Sequence, residues 1–359
     1  MNMPLGQGHG FARALPAWMD ELICPKCGSH LDAGSDHLAC AACRNRFRVA
    51  DGVPHFVDEF PYWGEIPQDR MQEILGRIES ANWQAALLEH SDPVVRRASG
   101  MILNLERANW HCLLDLPPST RALDMGAGTG TTSHALARDY REVVAIEPVL
   151  ERVQFMQRRF EQEGLNNVRV IRSSLWSIPY PADSFDLVAM NGVLEWVASG
   201  LEGDPEQLQL RALENVRRLL RPGGYLYVGI ENRLSWGHFL GWPDPHCGLP
   251  WAPILPRPLA HWYARKKGQD GYRNYLYSSR GYRKLLGKAG FREMELYIAI
   301  PSYNHPRVMI PLHGSLYSYY RRNCCVRPER LLQRLAGAAL LHSGALKHLE
   351  GSFVILARK

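Results

Sequence analysis

Four cysteines in two close pairs are the first residues in the chain that could do chemistry. Two residues lie between Cys24 and Cys27, two between Cys40 and Cys43, and twelve separate the pairs. Each pair can present two thiolates from one tight knuckle, and four thiolates complete a closed tetrahedral zinc site. A redox pair or disulfides are the alternatives; disulfides imply an oxidising compartment. A second constellation lies at 121–148. An apolar run reaches Asp124, and Gly126, Gly128 and Gly130 follow at alternate positions with Ala127 between the first two. Such glycines let a flat ligand press on the main chain. Glu147, 23 positions after Asp124, ends a β-branched run, where a carboxylate can accept hydrogen bonds from both ribose hydroxyls of an adenosine. The spacing G-x-G-x-G departs from the dinucleotide fingerprint G-x-G-x-x-G, and an aspartate near the turn suits an ammonium rather than phosphates. The pair therefore points to S-adenosylmethionine over NAD, against the plain alternative of an ordinary βα turn. A third candidate is His246, two residues after Asp244, whose imidazole can take a proton near neutral pH. His238 and Glu195 are the other candidate bases. A loop histidine with no catalytic duty fits the same residues, and methylation of nitrogen or sulfur needs no base.

These side chains need a scaffold, and the elements fall in order. Residues 121–125 read as a strand, 131 onward as a helix, 141–148 and 168–174 as the next strands, and 185–190 as a buried fourth. Residues 213–224 read as an amphipathic helix stopped by Pro222 and two glycines, with a fifth strand at 225–232. Two helices, at 69–90 and 93–114, precede the first strand. An aromatic, proline-rich insert occupies 233–278, long enough in a compact domain to suggest a working loop.

With strand, glycine turn, acidic partner and helices in this sequence, the chain resembles class I S-adenosylmethionine-dependent methyltransferases. The resemblance is dense over 105–232 and looser over 279–291 and 352–359. It implies an α/β, Rossmann-like fold: a doubly wound, seven-stranded, mostly parallel sheet whose last strand runs antiparallel. It implies that Asp124, Gly126 and Gly128 hold the methionine end, that Glu147 holds the ribose with Pro148 beside the adenine, and that Asn191 and Gly192 floor the sulfonium. Relatives commonly carry an aspartate after the third strand for the adenine amino group; Ser173, Ser174 and Leu175 stand there, and Ser174 offers a weaker acceptor. Residues 20–58 resemble the zinc-ribbon module that partners or is fused to methyltransferases. The segments 62–67, 191–197, 231–241 and 278–291 resemble bacterial methyltransferases of the surface-glycan and secondary-metabolite type. That implies a small-molecule or glycan-linked acceptor, methylated on oxygen. An RNA methyltransferase using the ribbon and the basic carboxyl-terminal region is the alternative; residues 191–194 read Asn-Gly-Val-Leu rather than the Asn/Asp-Pro-Pro-aromatic tetrad of base methylation. A non-catalytic scaffold is the third reading.

The 359 residues are 46% hydrophobic, ample for one large core and an appendage. The expected divisions are a tail at 1–19, the ribbon at 20–58, a helical linker or lid at 59–118, the cofactor-binding core at 119–232, the acceptor-site insert at 233–278, and the rest of the fold with a basic helical insert at 279–359. No stretch approaches the roughly 20 apolar residues of a membrane span, and the first residues show no apolar signal core, so a cytoplasmic protein is expected. The net charge of +6 is uneven: residues 257–334 hold 16 Lys/Arg against 4 Asp/Glu, interleaved with 12 aromatics. That suits an anionic acceptor, or outer helix faces in water. Arg44, Arg46 and Arg48 would share one strand face, a phosphate grip or simply a solvated side. Residues 328–349 read as an amphipathic helix that covers a core or lies on a membrane surface.

Overall fold

The computed structural model describes residues 15–324 and 344–359. A small antiparallel sheet comes first, with β1 (Asp32–Ala33), β2 (His37–Ala39), β3 (Arg46–Ala50) and β4 (Val53–Pro54) side by side in chain order. Along β3, Phe47 and Val49 are buried while Arg46 and Arg48 are exposed, the alternation of a half-covered strand. Arg44 is not on that strand: it sits in the second cysteine knuckle at φ 61°. The expected three-arginine face therefore has two members, and Arg46 is engaged with the His37 ring at 2.6 Å.

The helices α1 (Gln68–Ile78), α2 (Trp83–Leu88) and α3 (Pro93–Ile102) and a 3-10 stretch at Leu105–Leu113 follow. The two long helices expected here are each split, because an asparagine offers its side chain to the backbone at the break. Asn82 caps α2 by accepting from the Gln84 N–H at 2.8 Å. Asn104 does the same for the Glu106 N–H at 3.2 Å.

The main sheet is built from β5 (Arg121–Met125), α4 (Thr131–Leu136), β6 (Glu142–Glu147), α5 (Leu150–Gln162), β7 (Val168–Arg172), β8 (Phe185–Asn191), α6 (Pro205–Leu219) and β9 (Leu220–Glu231). Then come α7 (Trp236–Phe239), α8 (Arg257–Lys266), α9 (Ser279–Lys288), β10 (Met294–Ser302), β11 (His305–Pro311), α10 (Leu316–Asn323) and β12 (Ser352–Arg358). The strand order is β11-β10-β12-β9-β8-β5-β6-β7. Pairings from β7 through β9 are parallel, and β12 runs antiparallel to both β9 and β10. The sheet has eight strands rather than the expected seven, since β10 folds back on itself as the edge strand β11. Pro306 and Pro311 bracket the short apolar run of β11, and proline within a strand is tolerated at a sheet edge. Helix α6 stops at Leu219, before Pro222, and the Pro-Gly-Gly step lies inside β9.

The chain steps outward from β5 to β6 and β7, then returns to β8 on the other side of β5. That reversal opens a crevice at the carboxyl ends of β5 and β8, where ligands bind in open α/β sheets. All five residues of β5 are buried, which fixes the floor of the crevice.

The cysteine module is not independent of this core. Met19, Leu22, Leu31 and Leu38 belong to the same apolar cluster as Leu123, Ile171 and Tyr180. The Ile23 N–H donates to Pro179 O at 3.1 Å, and the Phe56 N–H to Arg172 O at 2.8 Å. The 233–278 insert has a cluster of its own, around Ala252, Ala260, Ala264 and Tyr272. Most of the expected 328–349 helix falls on residues 325–343, outside the described residues; Leu346–His348 form one 3-10 turn. Among the described residues no helix is long and apolar enough to cross a membrane.

Trp110 ties the segment before β5 to the sheet. It is fully buried and lies flat on the Tyr227 ring, with centroids 3.5 Å apart and planes within 5°. Trp110→Ala should lower the unfolding free energy by about 3–5 kcal/mol in urea denaturation. An unchanged midpoint would remove this stack as the anchor of that segment.

Candidate functional site

Asp124 lies two residues before the β5 glycine turn and Glu147 ends β6. In the register Met125 pairs with Ile146, so the two acids belong to adjoining strand ends. Asp124 is 2% exposed and accepts from the Ser133 hydroxyl at 2.6 Å. Burial pushes its carboxyl up to about 6, against the pull of Ser133 and the Arg107 guanidinium, with Glu147 adding to the rise. Glu147 is 3% exposed and folds back on the main chain, accepting from the Gly128 N–H at 2.9 Å and the Val149 N–H at 3.1 Å. Burial raises its pKa too, while Arg152 and those two N–H groups oppose the rise.

The turn between them is bare where a ligand would press. Gly128 has φ +59°, and a Cβ there would meet only Arg152 Nη1, at 3.7 Å. Gly130 has a different duty: a Cβ on it would strike Phe160 at 2.6 Å and Met156 at 2.9 Å, so its bareness lets α4 approach α5.

Two clefts meet at Gly126. The first, of about 550 Å³, is walled by Asp124, Ala127, Gly128, Asn191, Gly192 and Arg107, among others. The second, of about 670 Å³, is walled by Pro148, Ser173, Ser174, Leu175, Trp176 and Trp196, among others. Gly126 lines both. Glu147 is not among the residues that wall either cleft, but its neighbours Ile146 and Pro148 wall the second and its carboxylate is bonded to the Gly128 N–H that borders the first. The Ser173 hydroxyl is already used, donating to Ser177 O at 2.7 Å, and Ser174 Oγ accepts weakly from the Trp176 N–H at 3.3 Å.

Several cleft residues were not foreseen. Arg107, from the 3-10 stretch, reaches across to Asn191; with the amide oriented to satisfy both ends, Asn191 oxygen accepts from Arg107 Nε and Nη2 at 2.7 and 2.8 Å, and its nitrogen donates to the Tyr227 hydroxyl at 2.6 Å. Trp63 and Glu65 enter the first cleft from the segment before α1. The Arg152 guanidinium stands 4.8 Å over the Trp63 ring and donates to Glu65 at 2.5 Å. A lone arginine or tryptophan in a linker carries no spacing signal, so only the fold reveals them.

Of the candidate bases, the structure brings His246 and Glu195 into contact, while His238 stands close enough to feel the charges of Asp244, Glu231 and His246. His246 Nε2 is 3.6 Å from Glu195 Oε1 and 3.5 Å from Glu231 Oε2, and its Nδ1 lies 2.8 Å from Asp244 Oδ1. Burial disfavours its charge, but Asp244, Glu195 and Glu231 outweigh that and push the imidazole up to about 12. The three carboxylates thus make the ring hold its proton more tightly than a free imidazole. Burial raises Glu195 to about 7, with Glu231 adding to the rise and His246 opposing it. His238 is buried with its pKa lowered by desolvation. The cluster adjoins both clefts. A Cβ on Gly192 would lie 2.8 Å from Tyr303 Oη and 3.6 Å from Glu195 Oε1, and Trp196 meets the His246 ring edge-on at 5.2 Å. The Tyr303 hydroxyl donates to Glu231 Oε1 at 3.0 Å.

At the four cysteines, the sulfurs lie within 4.8 Å of one another and none is in a disulfide. Cys24 and Cys43 sulfurs are 3.5 Å apart, Cys27 and Cys40 sulfurs 3.4 Å. The Asn45 amide donates to Cys43 Sγ at 2.9 Å and lowers that thiol to about 6. Thiols so gathered and unbridged fit a tetrahedral zinc with bonds of about 2.3 Å.

Residues 123–228 match the family model described as a methyltransferase domain. Malonyl-[acyl-carrier protein] O-methyltransferase of Halorhodospira halophila is 37% identical over 106 residues, 29% of this chain and 32% of that one. An uncharacterized methyltransferase of Bacillus subtilis is 34% identical over 68 residues, 19% of this chain and 27% of that one. The chain spans about a third of the length of these curated relatives. Among solved structures, an S-adenosylmethionine-dependent methyltransferase from Thermotoga maritima, described as a possible histamine N-methyltransferase, aligns with 77% of this chain and 99% of its own at 19% identity and TM-score 0.42.

The raised Asp124 carboxyl gives a stability prediction. A carboxyl whose folded pKa exceeds the unfolded one stabilises the fold while protonated, and that contribution is lost as pH rises through about 6. Asp124→Asn should therefore stabilise the ligand-free protein by up to about 3 kcal/mol at pH 8 and change little at pH 4. Equal denaturation midpoints at both pH values would contradict this.

Proposed function

With a methyltransferase domain at 123–228 as the premise, we propose that the protein transfers a methyl group from S-adenosylmethionine to an oxygen of a small or glycan-linked acceptor. The observation that carries this is the pair of clefts joined at Gly126, with Asp124 in one and Pro148 beside the other. In this reading Asp124 takes the ligand's ammonium and Arg107 its carboxylate. Glu147 takes the ribose hydroxyls over the bare face of Gly128. The apolar walls Pro148, Leu175 and Trp176 receive the adenine, whose amino group is served weakly by Ser174. S-adenosylmethionine, when bound, supplies an electrophilic methyl primed for in-line displacement. The chain's own work is to position the acceptor and remove its proton. Glu195 and Glu231, just behind Gly192, are suited to receive a hydroxyl proton, and Asp244 holds His246 between them. The acidity of this corner disfavours an anionic group at the reacting end. Much of the basic surplus further along is occupied structurally: Arg257 stacks on Tyr275 at 3.9 Å, and Arg273 donates to Ala198 O and Gly203 O at 3.0 and 2.9 Å.

The four cysteines are proposed to hold a structural zinc, which would supply folding energy to strands too short to stand alone. A thiol-specific mercurial should release one zinc per chain from the wild type and none from Cys43→Ser; no release from the wild type would refute the site.

Calorimetry with S-adenosylhomocysteine tests the cofactor assignment. Micromolar binding is expected, with Asp124→Ala and Glu147→Ala each weakening it at least tenfold. If the wild type binds none, the proposal fails. Glu195→Gln should leave that affinity near wild type while cutting kcat on a hydroxyl acceptor by about 10²-fold or more, the usual scale of acid–base contributions.

A further inference from the structure

The corner formed by Glu195, Glu231 and His246 has a geometry that proton transfer alone does not require. Glu195 is fully buried, yet among the described residues neither of its side-chain oxygens has a hydrogen-bond partner, and Glu231 Oε2 has none either. Leaving a buried carboxylate unpaired is costly, and native folds rarely tolerate it without a ligand. Charge leads to the same conclusion. Three carboxylates, Glu195, Glu231 and Asp244, face one imidazole, so the corner lacks positive charge even with that ring protonated.

The spacing selects what can fill the gap. One oxygen from each glutamate and His246 Nε2 all lie within 4.8 Å of one another, with the two contacts to the imidazole at 3.5 and 3.6 Å. A point equidistant from three atoms so spaced is about 2–2.5 Å from each, the bond length of a divalent metal to carboxylate oxygen or imidazole nitrogen.

The imidazole is also set up as a ligand. Its Nδ1 is held 2.8 Å from Asp244 Oδ1, while Asp244 also accepts the His246 N–H at 2.7 Å and the Tyr272 hydroxyl at 3.2 Å. A carboxylate fixing one ring nitrogen so that the other points at a cation is the usual outer shell of a metal-bound histidine. The Tyr303 hydroxyl, on Glu231 Oε1, likewise leaves Glu231 Oε2 turned to the gap.

We propose that Glu195, Glu231 and His246 bind a divalent transition-metal cation behind Gly192, with Asp244 as the orienting partner of the imidazole. Three protein ligands leave coordination positions open, as in metal sites that act on a substrate rather than brace a fold. Glu231 keeps a fifth of its side chain accessible and marks the open side. If the methyltransferase reading holds, that position would face the acceptor oxygen. The cation site itself stands on the geometry alone.

Manganese tests it in the absence of cofactor and acceptor, so the outcome is separable from methyl transfer. Four thiolates select zinc, whereas carboxylates and imidazole accept Mn²⁺, so this probe distinguishes the corner from the cysteine module. Titration of the full chain with Mn²⁺, followed by the electron paramagnetic resonance of the free ion, should show one bound ion per chain. Glu195→Gln and Glu231→Gln should each weaken it at least tenfold, and Asp244→Asn by 10–100-fold as an orienting partner. Circular dichroism spectra and urea midpoints matching the wild type verify their fold. A wild type that leaves the free-ion signal unchanged at millimolar Mn²⁺, or folded glutamine variants that bind as well as the wild type, would overturn the proposal.

Discussion

The structure depends on keeping two carboxylates out of water at the carboxyl ends of β5 and β6. Desolvating a carboxylate opposes its ionisation, and the rise in both pKa values records that opposition. What makes it tolerable is the surrounding sheet. Leu123, Val143, Val144, Ile146, Val188 and Val228 are all buried, and their apolar burial outweighs two strained acids. The acids are also partly served, Asp124 by Ser133 and Glu147 by two backbone N–H groups. They keep acceptor capacity for a ligand, and the Cβ-free Gly128 leaves the space for one.

The neighbouring parts of the chain respond to that constraint. The segments before β5 supply a cation and aromatic cover, Arg107 toward Asn191 and Trp63 against Arg152 of α5. The insert after β9 supplies Asp244 and His246, and the turn between β10 and β11 supplies Tyr303. Each of these is far from Asp124 in sequence, and the strand order brings them to one end of the sheet. The cysteine module sits at the opposite flank, sharing apolar cluster and backbone bonds with β7 rather than standing alone.

The cofactor side was legible in the sequence because it is local. Glycines at fixed intervals, an acid two positions upstream and another one strand later form a pattern that backbone conformation and ribose chemistry require. The cysteine spacing was legible for the same reason. The acceptor side was only half legible. Glu195 and His246 were candidates by residue type, but Glu231 and Tyr303 join them through strand pairings that no local pattern encodes. That three carboxylates surround His246 is something only the fold discloses. The edge strand β11 was missed because two prolines bracket its short apolar run, and the split helices because one asparagine side chain redirects the backbone at each break.

A crystal structure with S-adenosylhomocysteine tests the central claim most directly. The ligand should lie across Gly126 with its ribose hydroxyls on Glu147, its amino group on Asp124 and its adenine against Pro148 and Leu175. A ligand seated elsewhere, or a ribose that leaves Glu147 bonded only to the Gly128 and Val149 backbone, would contradict the account.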